Sequence, residues 1–484
     1  MATKFFRDPI HGLIEFSDSE KEEMLHVVNS APMQRLRRIK QCGFADYVYP
    51  SLTHTRFEHA LGAYHVMGRY LTRLIELSES TPPKGADSIF KELRRRLKDR
   101  DFVLALRIAA LVHDCGHLPF SHASEEIITK KDPTSIPHLH ERLTIALLDA
   151  NAFELKPTLA SNVSTILSKV YDRTEDYIPV QQLLNSALDV DRLDYLSRDS
   201  HHGGLAYVSV DLDWILRALD IGFVEDASGR RSVVLAYQER RGLWAIEQVL
   251  QARRTMYLQV YRHRVVQTAG FMYEKLIERI SELLNMGVWK ESTCLSEIAR
   301  LVNNPDSMSN KTLMRTDDIR ALAELSSLAE GTGACQDAIL HELSSRLLSR
   351  KLFVTIEIPY AKWTTEESIP ALEKSIRSQA VEHLLLIQPY QAFGRDILEK
   401  YFCGTIFREE IALNSSHALL YYIQRSDEAS KVSPFKEAAK MAVHPDVGQP
   451  LTQVPIKRLW VVAPREIYSD LNKIVEAAVQ EVLL

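Results

Sequence analysis

Residues 111–122 read LVHDCGHLPFSH, with three histidines and an aspartate inside ten positions at the end of an apolar run. The run, FVLALRIAALVHD at 102–114, has the pattern of a buried helix, and Gly116 and Pro119 stop it. His113 and Asp114 are adjacent near that helix end, so their side chains diverge by about 100°. Both can still reach one ion beyond the last turn. A nitrogen and a hard oxygen suit Mn, Fe, Ni or Zn. Further ligands must come from elsewhere: HTRFEHALG (54–62) offers His59, and SALDVDRLDYLSRD (186–199) offers Asp189, Asp191 and Asp194. Each signal is weak alone. An HD dipeptide usually marks a polar helix end, a lone histidine in an amphipathic helix a satisfied core residue, and an aspartate in an acidic helix a solvated one.

Around this stretch the chain reads as mainly α. Helical periodicity covers 57–77, 91–100, about 140–150, 158–172, 180–197, 211–219 and 240–284, with one hairpin signal around Gly229. The texture changes near 351. KLFVTIEIPY (351–360), HLLLIQPY (383–390), HALLYYIQ (417–424) and RLWVVAP (458–464) read as strands alternating with helices at 367–377 and 466–483. At 484 residues, two units are expected: a helical body over 1–350 and a smaller C-terminal α+β lobe over 351–484, the lobe serving packing and oligomer contacts.

Composition is that of an ordinary globular chain, 45% hydrophobic and 25% charged. A net charge of −5 gives no drive toward nucleic acid or membrane, and neither is expected as a partner. Five scattered cysteines without a C-x-x-C pair suit a reducing compartment. MATKFFRDPIHG does not look like a signal peptide, and no apolar run approaches the ~18 residues of a membrane helix. A cytoplasmic location is the expectation. From Arg230 to Arg264 there are eight arginines and no lysine. Guanidinium favours planar bidentate partners such as phosphate, although helix-surface ion pairs would use the same residues.

Three motifs in order, RFEHALG (56–62), HDCGHLPFSH (113–122) and DVDRLDY (189–195), resemble those of the HD-domain phosphohydrolases, in particular the deoxynucleoside triphosphate triphosphohydrolase branch. The likeness begins at DPIHG (8–12), passes through QRLRRIKQCG (34–43) and reaches YRHR (261–264). The resemblance implies an HD fold and His59, His113, Asp114 and Asp191 as ligands of a divalent transition metal, with Mg on the nucleotide phosphates. The ion would act as a Lewis acid on the α-phosphate and lower the pKa of a bound water. The implied products are a deoxynucleoside and intact triphosphate.

The same likeness makes His122 the acid that protonates the leaving 5′-oxygen, supported by Glu125 and His140, with His117 on the α-phosphate. Glu125 stands where the family most often has Asp. An unperturbed imidazole titrates near pH ~6.5, and a positioned acid contributes roughly 10²–10⁴ in rate. Arg56, Arg192 and Arg264 are implied at the triphosphate. Gln41 and Asp199 are implied at the 3′-hydroxyl, Tyr261 against the 2′ face, and Cys42 and Tyr195 in the same pocket. An activating nucleotide between subunits of a homo-oligomer, a tetramer by family likeness, would use Lys4, Asn29, Gln34 and Arg37, with Asn29 in place of a guanine-reading aspartate. Two rivals remain: an HD phosphohydrolase acting on a nucleoside monophosphate or cyclic nucleotide, and a nucleotide-sensing module without turnover.

Overall fold

The computed structural model describes residues 4–16, 18, 20–80, 82, 87–131, 139–174, 177–225, 229, 231–358, 368–410, 421–425, 430–434 and 456–483. It begins with a hairpin, β1 (Phe5–Asp8) and β2 (Gly12–Glu15), followed by α1 (Lys21–Asn29) and α2 (Ala31–Leu36). The central helices are α3 (Arg56–Glu79), α4 (Asp87–Lys98), α5 (Arg100–Val112), α6 (His122–Lys131), α7 (Leu139–Asp149), α8 (Pro157–Tyr171), α9 (Ile178–Leu184), α10 (Val190–His202) and α11 (Leu212–Ala218). Strands β3 (Leu219–Glu225) and β4 (Arg231–Gln238) precede α12 (Glu239–Met256), α13 (Arg264–Asn285), α14 (Cys294–Asn303), α15 (Asn310–Leu313), α16 (Asp318–Ala329) and α17 (Ala338–Leu348). The last segment holds β5 (Val354–Ile358), α18 (Ile369–Leu385), α19 (Gln388–Gln391), α20 (Arg395–Tyr401), β6 (Gly404–Glu410), β7 (Tyr421–Arg425), β8 (Ser430–Pro434), β9 (Ile456–Ala463) and α21 (Tyr468–Leu483). The chain is mainly α, as its periodicities indicate.

Among the described residues the strands form three sheets: β1-β2, β3-β4-β7-β8 and β5-β9-β6. Strand β7 runs parallel to β4, with Tyr237 opposite Tyr422, so a strand from beyond residue 351 extends the hairpin of the helical body. One apolar core reaches from Ile14 and Phe16 through α13 to Leu471 and Ala478.

Several local readings change. HLLLIQPY is not a strand: Leu372, Ile376, Ala380 and Leu384 are buried at helical spacing, and the apolar run is the end of α18, where Leu386 is left 80% exposed. The 180–197 pattern is two helices, because Asp189 caps α10 by accepting from the Arg192 N–H and breaks the run. The 240–284 pattern is interrupted by a π-turn at Tyr257–Tyr261, which brings the Tyr261 hydroxyl onto Asp199. The β1-β2 hairpin carried no alternating apolar signal. Part of HALLYYIQ is strand β7, and residues 417–420 lie outside the described residues.

Two close approaches position the site. In α3, a Cβ on Gly62 would fall 1.8 Å from Asp194 Oδ1, so only glycine admits α10 with its buried Asp194–Arg198 pair. A Cβ on Gly116 would fall 2.0 Å from the His140 carbonyl oxygen, so glycine lets α7 lie against the HDCGH turn. The turn ends with Phe120 and Ser121 at φ 57° and 55°, left-handed values that cost of order 1–3 kcal/mol each outside glycine. Asp318 holds this geometry by accepting from the Phe120 N–H and the Lys40 N–H, both at 2.9 Å. The fully buried Arg35 donates to the carbonyls of Cys115, His117 and Thr316.

Gly62→Ala is expected to destabilise the protein by about 3 kcal/mol or more, since the added methyl must displace a buried ion pair. Denaturant unfolding checks this, and an unchanged midpoint would show that α3 and α10 can separate without loss.

Candidate metal centre and active site

His59 sits in the first turn of α3, His113 and Asp114 at the end of α5, and Asp191 in the first turn of α10. The Nδ1 of His59 lies 2.7 Å from Asp194 Oδ2 and that of His113 lies 2.9 Å from the Ala110 carbonyl. Both partners only accept, so each neutral ring carries its proton on Nδ1 and presents an Nε2 lone pair. Those two nitrogens face each other at 3.4 Å. Asp191 Oδ1 lies 2.9 Å from His59 Nε2 and 3.5 Å from His113 Nε2, while Asp114 oxygens lie 3.7 and 3.3 Å from the same atoms. Such separations are those of neighbouring ligands around an ion at about 2.1 Å. With both rings neutral this convergence of lone pairs is repulsive unless a cation, a proton on His59 or a divalent metal, sits among them, and the residues fit the metal. Burial opposes charge on His59, but its bonds to Asp191 and Asp194 outweigh burial and raise its pKa to about 10. The centre demands positive charge.

Asp194 orients the centre without belonging to it. Its carboxylate also accepts from His11 Nε2 at 2.7 Å and from Arg198 Nε and Nη2 at 2.9 Å each. Arg198 reaches on to Asp8 at 2.7 Å, which ties the DPIHG turn to α10. The sequence reading offered Asp194 as one of three possible ligands and gave His11, Asp8 and Arg198 no role.

Beside the metal cradle, Glu125 is shared by three histidines. Its Oε2 lies 3.0 Å from His140 Nδ1 and 3.3 Å from His122 Nδ1, and its Oε1 lies 2.6 Å from His117 Nδ1, out of line for a hydrogen bond. Burial opposes ionisation of Glu125, but His117 and His140 hold its pKa well below the carboxylate range. Burial and Arg56 push His117 down to about 4, whereas Glu125 overcomes burial and lifts His140 to about 9. His117 Nε2 stands 3.3 Å from Asp114 Oδ1, linking this hub to the cradle. The His122 side chain remains 68% exposed.

On the other side of the cradle, Asp199 accepts from the Tyr261 hydroxyl at 2.6 Å and lies 2.7 Å from His54 Nε2. Cys42 stands beside it, its thiol pushed up by burial and by Asp199. Gln41 Oε1 and His54 Nδ1 are buried here without a hydrogen-bond partner, an arrangement that a polar ligand would complete. Tyr195 spans the gap, its ring 6.4 Å from His59 and 6.2 Å from Tyr261.

The arginines divide. Arg56 is buried with Nη1 2.5 Å from Asp114 and Nε 2.9 Å from Ser121 Oγ. Arg192 is held by Asp189 at 2.5 Å. Arg253, one of the eight arginines between Arg230 and Arg264, lies over Tyr257 at 4.9 Å and acts electrostatically on Arg192 and Tyr195. Arg264 lines a cleft with Arg350 and Arg465. Lys4, Gln34 and Arg37 gather elsewhere. Arg37 covers Phe57 at 3.6 Å and donates to Gln34 Oε1 at 3.1 Å, Lys4 stands over Phe6, and Asn29 is exposed at the end of α1.

The sequence pattern of the HD domain matches residues 56–199, the span from Arg56 to Asp199. The uncharacterized protein YwfO of Bacillus subtilis is 30% identical over 291 residues, covering 59% of this chain and 57% of that protein. The deoxynucleoside triphosphate triphosphohydrolase SAMHD1 homolog of Dictyostelium discoideum is 28% identical over 63% of this chain and 54% of its own. Mouse deoxynucleoside triphosphate triphosphohydrolase SAMHD1 is 30% identical over 42% of this chain and 32% of its own. The matches thus span about half, or less, of these relatives. A phosphohydrolase from Bacteroides thetaiotaomicron shares the fold, with a TM-score of 0.71 at 24% identity over 96% of this chain and 100% of that one. No described helix is long and apolar enough to cross a membrane. With this His/Asp cradle at its centre, residues 56–199 form an HD domain, and the chain is related to the HD-domain dNTPase family.

Proposed function

We propose that the chain hydrolyses deoxynucleoside triphosphates to deoxynucleoside and inorganic triphosphate. The observation that carries this reading is the pocket of Asp199, Tyr261, Gln41 and Cys42, which lies across Tyr195 from the cradle and holds two orphaned polar atoms. Gln41 and Asp199 would take the 3′-hydroxyl, and the Tyr261 ring and Cys42 would close the space beside C2′. Arg56 and Arg192, joined by Arg253, would carry the phosphates, and His117 would contact the α-phosphate. Arg264, from the cleft that it lines with Arg350 and Arg465, would complete the triphosphate contacts.

His59, His113, Asp114 and Asp191 would hold Mn, Fe, Ni or Zn, which when bound supplies a Lewis acid for the phosphate and an acidified water. His122 would give a proton to the departing 5′-oxygen. Its Nδ1 faces Glu125, which leaves Nε2 for the leaving group. Lys4, Asn29, Gln34 and Arg37 would receive an activating nucleotide between subunits of a homotetramer, and the exposure of Lys4, Asn29 and Arg37 suits such a role. An amide at 29 has one acceptor and two donors, so it pairs poorly with the donor-rich edge of guanine and accepts adenine as readily.

A panel of dNTPs, NTPs, nucleoside monophosphates and cyclic nucleotides, assayed for released triphosphate or phosphate with ATP or GTP added in turn, tests the reading. Turnover of dNTPs with triphosphate release and activation by either purine is expected. Cleavage of monophosphates or cyclic nucleotides instead would replace it, and strict dependence on guanine nucleotides would remove the Asn29 argument.

Asp191→Ala is expected to lose both bound metal and turnover, because three ligands retain neither the charge nor the geometry of four. Elemental analysis of the purified variant checks this, and full metal occupancy would take Asp191 out of the ligand set. His122→Ala should lower kcat by roughly 10²–10⁴ with metal content and melting temperature kept, since the side chain is exposed. A fall in melting temperature alongside activity would make His122 structural.

A further inference from the structure

Beyond His59, α3 continues with His65, Arg69 and Arg73, spaced four residues apart and therefore on one helix face. That face walls a cavity of about 940 Å³, whose other side is built by α11 through Trp214 and Arg217. Its size is within the range of ligand sites. We infer that this cleft binds an oligophosphate, a chain of condensed phosphates either free or carried by a nucleoside.

The charge of the lining supports this. Arg69, Arg73, Arg107, Arg217 and Arg241 face only Glu15, Glu76 and Asp213 in a protein that is acidic overall. Arg69 pairs with Asp213 at 2.6 Å and Arg73 with Glu76 at 3.0 Å, while Arg107 reaches outside the lining to Glu20. Asp213 is pulled below the usual range by its bond to Arg69 first, with the charge of Arg217 adding to it at longer range. Among the described residues Arg217 and Arg241 make no ion pair. Along the same wall the Tyr64 hydroxyl and Arg107 Nε are buried without a hydrogen-bond partner. Planar guanidiniums in excess over carboxylates match phosphate oxygens.

Trp214 adds a second element. Its indole N–H donates to the Arg241 carbonyl at 2.8 Å, which sets the ring plane while leaving the residue 45% exposed. An aromatic face beside arginines accepts a nucleobase. The wall is also contiguous with the metal centre: His65 stacks on His11 at 4.7 Å, and His11 donates to Asp194, which orients His59.

The inference is independent of the proposed hydrolysis and is tested without turnover. Full-length protein in EDTA is titrated with inorganic tripolyphosphate and with ATP while tryptophan emission is followed, and the same titrations on Trp214→Phe isolate the signal of Trp214. A saturable change is expected that disappears in Trp214→Phe and weakens at least tenfold in Arg69→Glu/Arg217→Glu. Tighter binding of ATP than of tripolyphosphate identifies a nucleotide, and equal binding identifies the inorganic chain. Should the double variant melt lower than wild type, Arg241→Glu on the exposed rim supplies the same comparison. Absence of a Trp214 signal with both probes up to about 1 mM, or unchanged affinity in the folded charge-reversal variant, overturns the inference.

Discussion

The carboxylate of Asp194 accepts from His11, His59 and Arg198 at the same time, and nearly everything that makes the site depends on it. Burial penalises a carboxylate, but these three partners outweigh it and hold Asp194 ionised, with a pKa well below the ordinary range. An ionised Asp194 obliges His59 to keep its proton on Nδ1, and that frees Nε2 for the metal cradle. The same contact fixes the helices. Gly62 brings α3 against α10, Arg198 runs back to Asp8, and the β1-β2 turn closes over the pair. Removing one member of such a buried network costs ~3–5 kcal/mol, which is why its parts come from three separate stretches of chain held in register.

A second constraint works on the turn after α5. Four candidate site residues, His113, Asp114, His117 and His122, lie within ten positions of it. The backbone makes the turn through left-handed Phe120 and Ser121, a conformation that these residues do not favour. Asp318 and Arg35 fasten it by bonding main-chain groups of the turn. Neither touches the cradle. Both belong to segments that would read as ordinary helix, and their importance lies in the carbonyls and N–H groups that they satisfy.

This distinction explains what could be read from the chain. Helix α3 was legible because its buried face repeats at helical spacing from Phe57 to Leu74. The residues alone left Asp189, Asp191 and Asp194 open beside His59, His113 and Asp114, and only the likeness of the three motifs to the HD-domain phosphohydrolases picked Asp191. HLLLIQPY was misread because a short apolar run has no period of its own, and only burial on α18 separates helix from strand. The π-turn at 257–261 and the approach of β7 to β4 are long-range outcomes with no local mark. Arg253 and Arg264 look alike in an arginine-rich stretch, and the break between α12 and α13 puts them on two different helices.

The proton hub follows from the same physics. His117 and His140 stack at 3.9 Å with an 11° angle between ring planes, too close for both to carry charge comfortably. Glu125 resolves the conflict because its hydrogen bond to His140 is aligned and its contact with His117 is not. His140 therefore takes the proton and rises to about 9, while His117, buried and beside Arg56, falls to about 4. The ring of His122 also meets Glu125, Nδ1 to Oε2 at 3.3 Å, while its side chain stays 68% exposed. Of the three histidines on Glu125, the ring free to exchange a proton with a bound molecule is then the one that the fold leaves open to the cleft. The division of labour among His117, His122 and His140 rests on stacking geometry and on the reach of one glutamate, rather than on differences among the imidazoles themselves.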